Sequence, residues 1–397
     1  MTSPAPTIYL DNQATTACDP RVVEAMLPFF GVRFGNAHSA EHAMGLDADT
    51  ACEEARAAIA RLVGADPRAL VLTSGATESN NLAIKGAVRH RRAFGDTRRR
   101  VITLATEHPC VLQSVRDLGH EGFEPVVLPV GYDGLLDPAC LRDALRTPTL
   151  LVSIMAVNNE TGVIQDLAGL APLVREAGAL LHSDLAQAAG KIDIDVAALD
   201  LDLASLSAHK LYGPKGIGAL YVRRRPRVRL QPLFSGGGQE RGVRSGTLAV
   251  PLVVGFGVAA AVAMDGMAAE AIRLRTMRDR LLQHLQAGIP ELAVNGSLRH
   301  RVAGNLNLRF PGVRAQAIIE HAPELCLSTG SACSSAAVEP SAVLQAMGLT
   351  RGEAAESLRL AIGRFTSPAD LEQASAILLR AHDQAHDLAR AMPHCLR

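Results

Sequence analysis

Residues 203–222, LASLSAHKLYGPKGIGALYV, place Ser207, His209 and Lys210 where one apolar run of strand length ends, before a Gly-Pro turn and a second apolar run that returns. A lysine at the edge of a buried sheet, beside groups able to bind an anion, suits an enzyme that holds an aldehyde cofactor as a Schiff base. Taken alone, such a lysine is more often a surface residue of a loop, because Lys is rarely buried unless paired. Four other segments change that balance. Residues 74–79, SGATES, turn into a helix, and a glycine turn opening a helix offers NH groups and a positive dipole end to a phosphate. Ser and Thr there also simply cap helices. Glu107 and His108 follow the apolar run 101–105; Asn158, Asn159 and Glu160 follow the run 150–157; Asp184 follows 179–183, with Gln187 three residues on.

Polar and ionisable residues therefore stand at the carboxyl ends of five successive strands, the edge at which an open, mostly parallel α/β sheet binds ligands. A phosphate seat, a histidine, an amide, a carboxylate and a lysine are together what pyridoxal 5'-phosphate (PLP) requires. The lysine takes the aldehyde, Asp184 faces the ring nitrogen and keeps it protonated, and NH or hydroxyl donors hold the phosphate. His182, two residues before Asp184, points the same way on a regular strand, but core packing is its expected role.

Two further segments carry chemistry. Arg359 alternates with apolar residues in 357–363, so it lies on one face of a strand, either in a structural salt bridge or as a planar fork for a substrate carboxylate. Cys333, within LSTGSACSSA (327–336), is surrounded by small and hydroxyl residues, a composition that permits motion and exposure and favours a reactive thiol; Cys326 and Cys52 have the apolar settings of structural cysteines. Residues 235–247, SGGGQERGVRSGT, read as a flexible basic loop that closes over a phosphate or merely connects.

The elements that must position these groups follow from pattern. At 397 residues the chain suggests one large α/β domain and a smaller one. We expect residues 1–16 to form an N-terminal arm of the small domain, 17–255 the large cofactor-binding domain, and 256–397 the small α+β C-terminal domain with the Cys333 loop. Helices are expected over 47–63, 249–264 and 368–390, and small-domain strands over 305–310 and 357–363. Lys+Arg and Asp+Glu are both 40, so no global field favours nucleic acid or a membrane. The arginine clusters at 89–92, 98–100 and 223–229 read as solvated faces. Seven cysteines without CxxC pairs suggest neither a disulfide framework nor a zinc site, and with no signal peptide and no apolar run of membrane length they point to the cytoplasm.

Residues 73–81 (TSGATESNN), 106–108 (TEH), 157–160 (VNNE), Asp184 with Gln187, Ser207 with His209 and Lys210, 236–247 and 328–335 (STGSACSS) together resemble, in order, the PLP-dependent cysteine desulfurases of the NifS/IscS type. The resemblance runs from Tyr9 to about Phe365. It implies PLP fold type I, a homodimer and Lys210 as the cofactor lysine. Ala76, Thr77, Ser207 and His209 would hold the phosphate, with Thr247 reaching in from the partner subunit. His108 would stack on the ring and move protons, Gln187 would bond the ring hydroxyl, and Asn159 with Arg359 would hold the carboxylate of L-cysteine. The thiolate of Cys333 would take the sulfur as a persulfide, leaving L-alanine, and pass it to an acceptor protein. That acceptor could serve iron-sulfur cluster assembly, tRNA thiolation, DNA sulfur modification or molybdenum-cofactor synthesis. Gln13, Leu185 and Ala361 depart from residues common in relatives, and the C-terminus lacks the longer tail that grips an iron-sulfur scaffold. The alternatives are a selenocysteine lyase, another fold type I enzyme such as an aminotransferase, and a catalytically silent scaffold protein of this fold.

Overall fold

Among the described residues the chain's short apolar runs form twelve strands: β1 (Ile8–Tyr9), β2 (Leu70–Thr73), β3 (Arg100–Leu104), β4 (Glu124–Leu128), β5 (Thr149–Ser153), β6 (Leu180–Asp184), β7 (Leu203–Ser207), β8 (Gly218–Val222), β9 (Ala293–Val294), β10 (Asn305–Arg309), β11 (Leu325–Cys326) and β12 (Ser357–Ala361). The structure, a computed structural model, describes residues 7–330 and 339–391. Seven strands make the main sheet in the order β2-β8-β7-β6-β5-β3-β4, and only β8 runs against the rest. The return strand expected after Lys210 is therefore β8. Strands β2, β3, β5, β6 and β7 run parallel, so their carboxyl ends share one edge. Nearly every residue of β2, β5, β6 and β7 is buried, as a sheet covered by helices on both faces demands.

The strand expected over 150–157 ends at Ser153. Its apolar run continues as irregular backbone still bonded to β6, with Ile154 donating to His182 O and Ala156 to Asp184 O. Regular pairing stops because Asn158 builds its own turn: its Oδ1 accepts from the amides of Glu160 and Thr161.

A second core is built from β10, β12 and helix Pro368–Ala391, and Ile8 and Leu10 pack into it. Strand β1 pairs in parallel with β11, while β12-β10-β9 form an antiparallel sheet. Helix Val250–Gly288 runs well past the expected end at Met264. Its first half, from Val250 to Ala263, packs in the main core, and Leu274 to Leu285 pack in the second. One correction follows: this helix is, by length and composition, apolar enough to cross a membrane, although the sequence suggested no run of that length. Its many Ala and Val residues raise the hydropathy, and its glycines serve close packing. Gly257 shows this, since a Cβ there would meet the Ala55 Cα at 2.5 Å.

Helix Ala43–Leu62 starts four residues before the expected 47 because the His42 Nδ1 caps it, accepting from the Gly45 amide at 3.1 Å. Residues 235–247 also differ from expectation: the loop is tethered. Glu240 is buried, its carboxylate accepting from Arg56 Nη1 and Nη2 at 2.8 and 2.7 Å and from the Leu72 amide at 2.7 Å. His182 and Cys52 lie in the core, as expected. His182 Nδ1 meets Ser153 Oγ at 2.8 Å and Nε2 meets Ser205 Oγ at 3.0 Å.

Candidate active site

The first part of the site is a turn. Strand β2 ends at Thr73, and Gly75, at φ 151°, swings the chain into helix Ala76–Asn81. Gly218 on β8 makes room for this turn, since a Cβ there would lie 2.5 Å from the Leu206 carbonyl oxygen and 2.7 Å from the Gly75 Cα. Among the described residues no side chain caps the helix, so the first-turn amides of Ala76 and Thr77 are offered outwards. The Ser74 amide donates to Glu78 Oε2 at 2.7 Å, and Arg244 Nε donates to Glu78 Oε1 at 2.9 Å. The tethered loop is thereby joined to the phosphate turn.

The second part surrounds Asp184, the last residue of β6. Its Oδ2 accepts from Asn80 Nδ2 at 2.7 Å and its Oδ1 from the Ala186 amide at 2.8 Å, which leaves further lone pairs on a buried carboxylate. Asn80 Nδ2 also reaches Cys110 Sγ at 3.2 Å, and that sulfur lies 3.0 Å from His108 Nδ1. His108 caps helix Pro109–His120, its Nδ1 accepting from the Cys110 amide at 3.2 Å. An accepting Nδ1 puts the ring proton on Nε2. Burial, reinforced by the charge of Asp184, pushes the Cys110 thiol up to about 12, so it is an S–H able to donate to that nitrogen. Burial lowers the pKa of His108, with Asp184 opposing and Lys210 assisting. Burial and then Asp184 push the Glu107 carboxyl well above the usual range, against the opposing bond from the Met155 amide.

Lys210 ends the single turn Ala208–Lys210 after β7. Its Nζ donates to the carbonyls of Gln13 and Ala14 at 2.6 and 2.7 Å. Gln187 Nε2 donates to the same Gln13 oxygen at 2.8 Å, and Lys191 Nζ donates to Gln187 Oε1 at 2.6 Å. Ser207 is buried at the end of β7, and His209 Nδ1 meets Thr15 Oγ1 at 3.0 Å. Burial, then Lys210, Lys215 and Lys191, lower His209 to about 4. Burial, then Lys210 and Arg359, lower Lys191 to about 7.

The third part joins both cores. Arg359, on β12, donates from Nη2 to Asp11 at 2.6 Å and from Nη1 to the Asn159 carbonyl at 2.8 Å. The salt bridge weighed from sequence therefore exists, with Asp11 as its acid. Two polar atoms here, Arg359 Nε and Asn159 Oδ1, are buried without a partner among the described residues. The Arg359 amide bonds the Ser328 carbonyl at 2.8 Å, Gly330 packs so closely that a Cβ would meet Glu160 Oε2 at 2.8 Å, and Ser341 Oγ bonds the same Glu160 oxygen. Both described flanks of segment 331–338 thus converge beside Asn159 and Arg359. Cys333 itself lies outside the described residues. Thr247 is exposed at the end of the tethered loop.

This donor set fits PLP. It offers amides without a cap, a buried carboxylate at a strand end, an imidazole, a lysine amine and an amide side chain; Asn80 Oδ1, like Asn159 Oδ1, is buried without a partner among the described residues. Several participants escaped the sequence reading. Asn80 orients Asp184, Cys110 accompanies His108, Lys191 holds Gln187, and the Gln13 and Ala14 carbonyls receive Lys210. Backbone carbonyls carry no sequence signal, whereas the four-residue step from Gln187 to Lys191 and the two-residue step from His108 to Cys110 were visible.

The chain is also similar to known proteins. Residues 8–373 match the family model described as aminotransferase class-V. The chain is 48% identical over 382 residues to the cysteine desulfurase IscS of Rickettsia felis, covering 96% of this chain and 92% of that one. Among solved structures, a NifS-like protein superposes with a TM-score of 0.86 at 32% identity, covering 95% and 99% of the two chains. A structure described as SspA in complex with cysteine has a TM-score of 0.79 at 35% identity, covering 91% and 100%.

Proposed function

We propose that this chain, which belongs to the class-V aminotransferase family, is a PLP-dependent cysteine desulfurase that converts L-cysteine to L-alanine and carries the sulfur on Cys333 as a persulfide. The observation that carries the reading is the convergence of the Lys210, Asp184 and His108 edge with Arg359, Asn159 and the two flanks of the Cys333 segment.

When bound, PLP supplies an electron sink that stabilises negative charge at the substrate Cα. Lys210 would hold it covalently, Asp184 would face its ring nitrogen, His108 would lie against the ring, and Gln187 would bond its hydroxyl. Ala76, Thr77, Ser207 and His209 would hold the phosphate, and the exposure of Thr247 suits a residue that serves a second copy of the chain in a homodimer. Arg359 and Asn159 orient the substrate carboxylate, for which the buried Arg359 Nε is a donor in waiting. Lys210, as a free amine, removes the Cα proton, and His108, kept neutral by burial, moves protons at Nε2. The Cys333 thiolate then attacks the substrate sulfur: an S–S bond forms, the substrate C–S bond breaks, and Cβ keeps the electron pair and is protonated. The persulfide passes its outer sulfur to an acceptor protein, for iron-sulfur cluster or thio-cofactor and tRNA synthesis. The two cores support an arm that packs with the second core and a main domain, but the changeover falls within helix Val250–Gly288 between Ala263 and Leu274, later than residue 255. The reducing cytoplasm suits the free cysteines at positions 18, 52, 110, 140 and 326.

The test measures alanine and sulfide from L-cysteine with a reductant. Wild type should yield both, Cys333→Ala should lose both while keeping its visible spectrum, and Lys210→Ala should lose that spectrum. Full activity in Cys333→Ala would replace the persulfide reading with a lyase that releases its product directly.

A further inference from the structure

One sulfur atom stands between two of the helices that open onto the site. Cys110 lies in the first turn of helix Pro109–His120, and its Sγ is 3.0 Å from His108 Nδ1 and 3.2 Å from Nδ2 of Asn80, on helix Ala76–Asn81. We propose that Cys110 is a positioning residue of the reaction, its thiol fixing together the imidazole of His108 and the Asn80 amide that clamps Asp184. The proposal rests on the reading of His108 and Asp184 as residues of a PLP-dependent desulfurase.

The donor pattern leaves one assignment. The backbone amide of Cys110 points at His108 Nδ1 at 3.2 Å, so that nitrogen presents its lone pair. Only the sulfur can then carry the proton that lies between Sγ and Nδ1, so the S–H donates and Nδ1 accepts from thiol and amide together. The proton of the neutral ring is thereby confined to Nε2, the nitrogen at which His108 exchanges protons. On its other side the sulfur accepts. Asn80 Nδ2 has two hydrogens, one for Asp184 Oδ2 at 2.7 Å and one for the sulfur.

Asn80 is fully buried, and its Oδ1 has no partner among the described residues. Turning the amide over would put that oxygen where Nδ2 now stands, 2.7 Å from a carboxylate oxygen, and would lose the bond to sulfur. The two donors therefore decide the orientation although the acceptor goes unmet. Pro109 fixes the first residue of the helix that carries the thiol, which holds the sulfur at this place. The links run from Asp184 through Asn80 and Cys110 to His108, so the group for the ring nitrogen and the group for the ring face are set as one unit. Without the sulfur, His108 Nδ1 keeps one bond and the second Nδ2 hydrogen of Asn80 is released.

The test compares Cys110→Ala, which removes both bonds, with Cys110→Ser, whose hydroxyl keeps a donor and an acceptor. The first readout is nitrogen NMR of the cofactor-free protein carrying isotope-labelled histidine, with the His108 signals identified by their absence from His108→Gln. Wild type and the Ser variant should show the proton on Nε2, and the Ala variant a mixture of both tautomers. The second readout is alanine formed in the first turnover of the PLP-loaded protein. Its rate should fall about tenfold in the Ala variant and return to within about threefold of wild type in the Ser variant, as the loss of one buried hydrogen bond implies. The L-cysteine concentration giving half the maximal rate, set at Arg359 and Asn159, should stay within about twofold. A merely structural cysteine would lower the melting temperature and leave both readouts in place. If Cys110→Ala does not fold, Cys110→Val, which is apolar and of similar volume, takes its place. An unmoved His108 signal or an unmoved first-turnover rate in a folded Ala or Val variant overturns the proposal, as does a Ser variant that behaves like Ala. A wild type that forms no alanine instead sinks the desulfurase reading and the proposal with it.

Discussion

Replacing Glu240 by Ala tests whether the loop that carries Thr247 is held by a buried ion pair. The side chains of Arg56 and Glu240 are 5% and 3% exposed, and two bonds at 2.8 and 2.7 Å join them. Truncating the acid leaves the guanidinium with the Leu70 carbonyl at 3.2 Å and the exposed Glu53, and it strips the Leu72 amide of its acceptor. Removing one partner of such a pair costs about 3–5 kcal/mol, mostly as an uncompensated buried charge. At ~2.1 cal/mol/K per residue, a chain of 397 residues unfolds with an entropy of ~0.8 kcal/mol/K, so a loss of ~4 kcal/mol lowers the melting temperature by ~5 °C. Calorimetry of Glu240→Ala, and of Arg56→Met with Glu240→Leu, checks this. The double variant, with neither charge left, should recover most of the loss. A Glu240→Ala protein melting within about 1 °C of wild type would refute the reasoning, because it would mean that Arg56 finds water or another acid at no cost.

Three other outcomes are expected. Asn80→Ala deprives Asp184 of its donor at Oδ2 and should weaken PLP binding about tenfold in a spectral titration, as the loss of a hydrogen bond to a buried charge implies. Gly218→Ala drives a methyl group into the Leu206 carbonyl and the Gly75 backbone, so it should cost about 1–3 kcal/mol in urea denaturation and loosen the phosphate turn; unchanged PLP affinity would show that the close approach is idle. His182 is buried as the neutral ring with its pKa lowered to about 3, so the unfolded chain takes up its proton first as pH falls below about 6.5. Stability should drop by up to ~1.4 kcal/mol per pH unit from there towards pH 3, and urea midpoints of His182→Gln should fall less steeply over that window.

Much of this site is legible in sequence because strand ends are. Apolar runs stop where polar residues begin, so Ser74, Glu107, Asn158, Asp184 and Ser207 mark one edge in the sequence, although the strand before Asn158 itself stops at Ser153. The parallel order that brings those ends together is less visible, since β4, with its half-exposed faces, lacks the apolar run that marks the others. What remained hidden belongs to long-range pairing. Asp11 meets Arg359 across 348 residues and Gln13 meets Lys210 across 197, and no local pattern couples positions so far apart. Glu240 illustrates a different limit. A Gly-rich, charged stretch normally signals a loop free in solvent, and only the burial of Arg56 beneath it turns its single acid into an anchor.

The segment around Asp11 to Ala14 also has a consequence for how the protein is born. Asn12 Nδ2 bonds the carbonyl of Ala361, 349 residues later, and β1 is completed only by β11. At translation rates of about 5–20 residues per second, these early residues leave the ribosome roughly 20–70 s before the strand they must join. Thr15 and Thr16, next to the carbonyls that receive Lys210, meet His209 and Tyr212, partners made before the main sheet is finished at Val222, whereas Asn12 and β1 wait for Ala361 and β11. A nascent chain can therefore hold the sheet edge and its lysine well before β1 finds the strand that completes it.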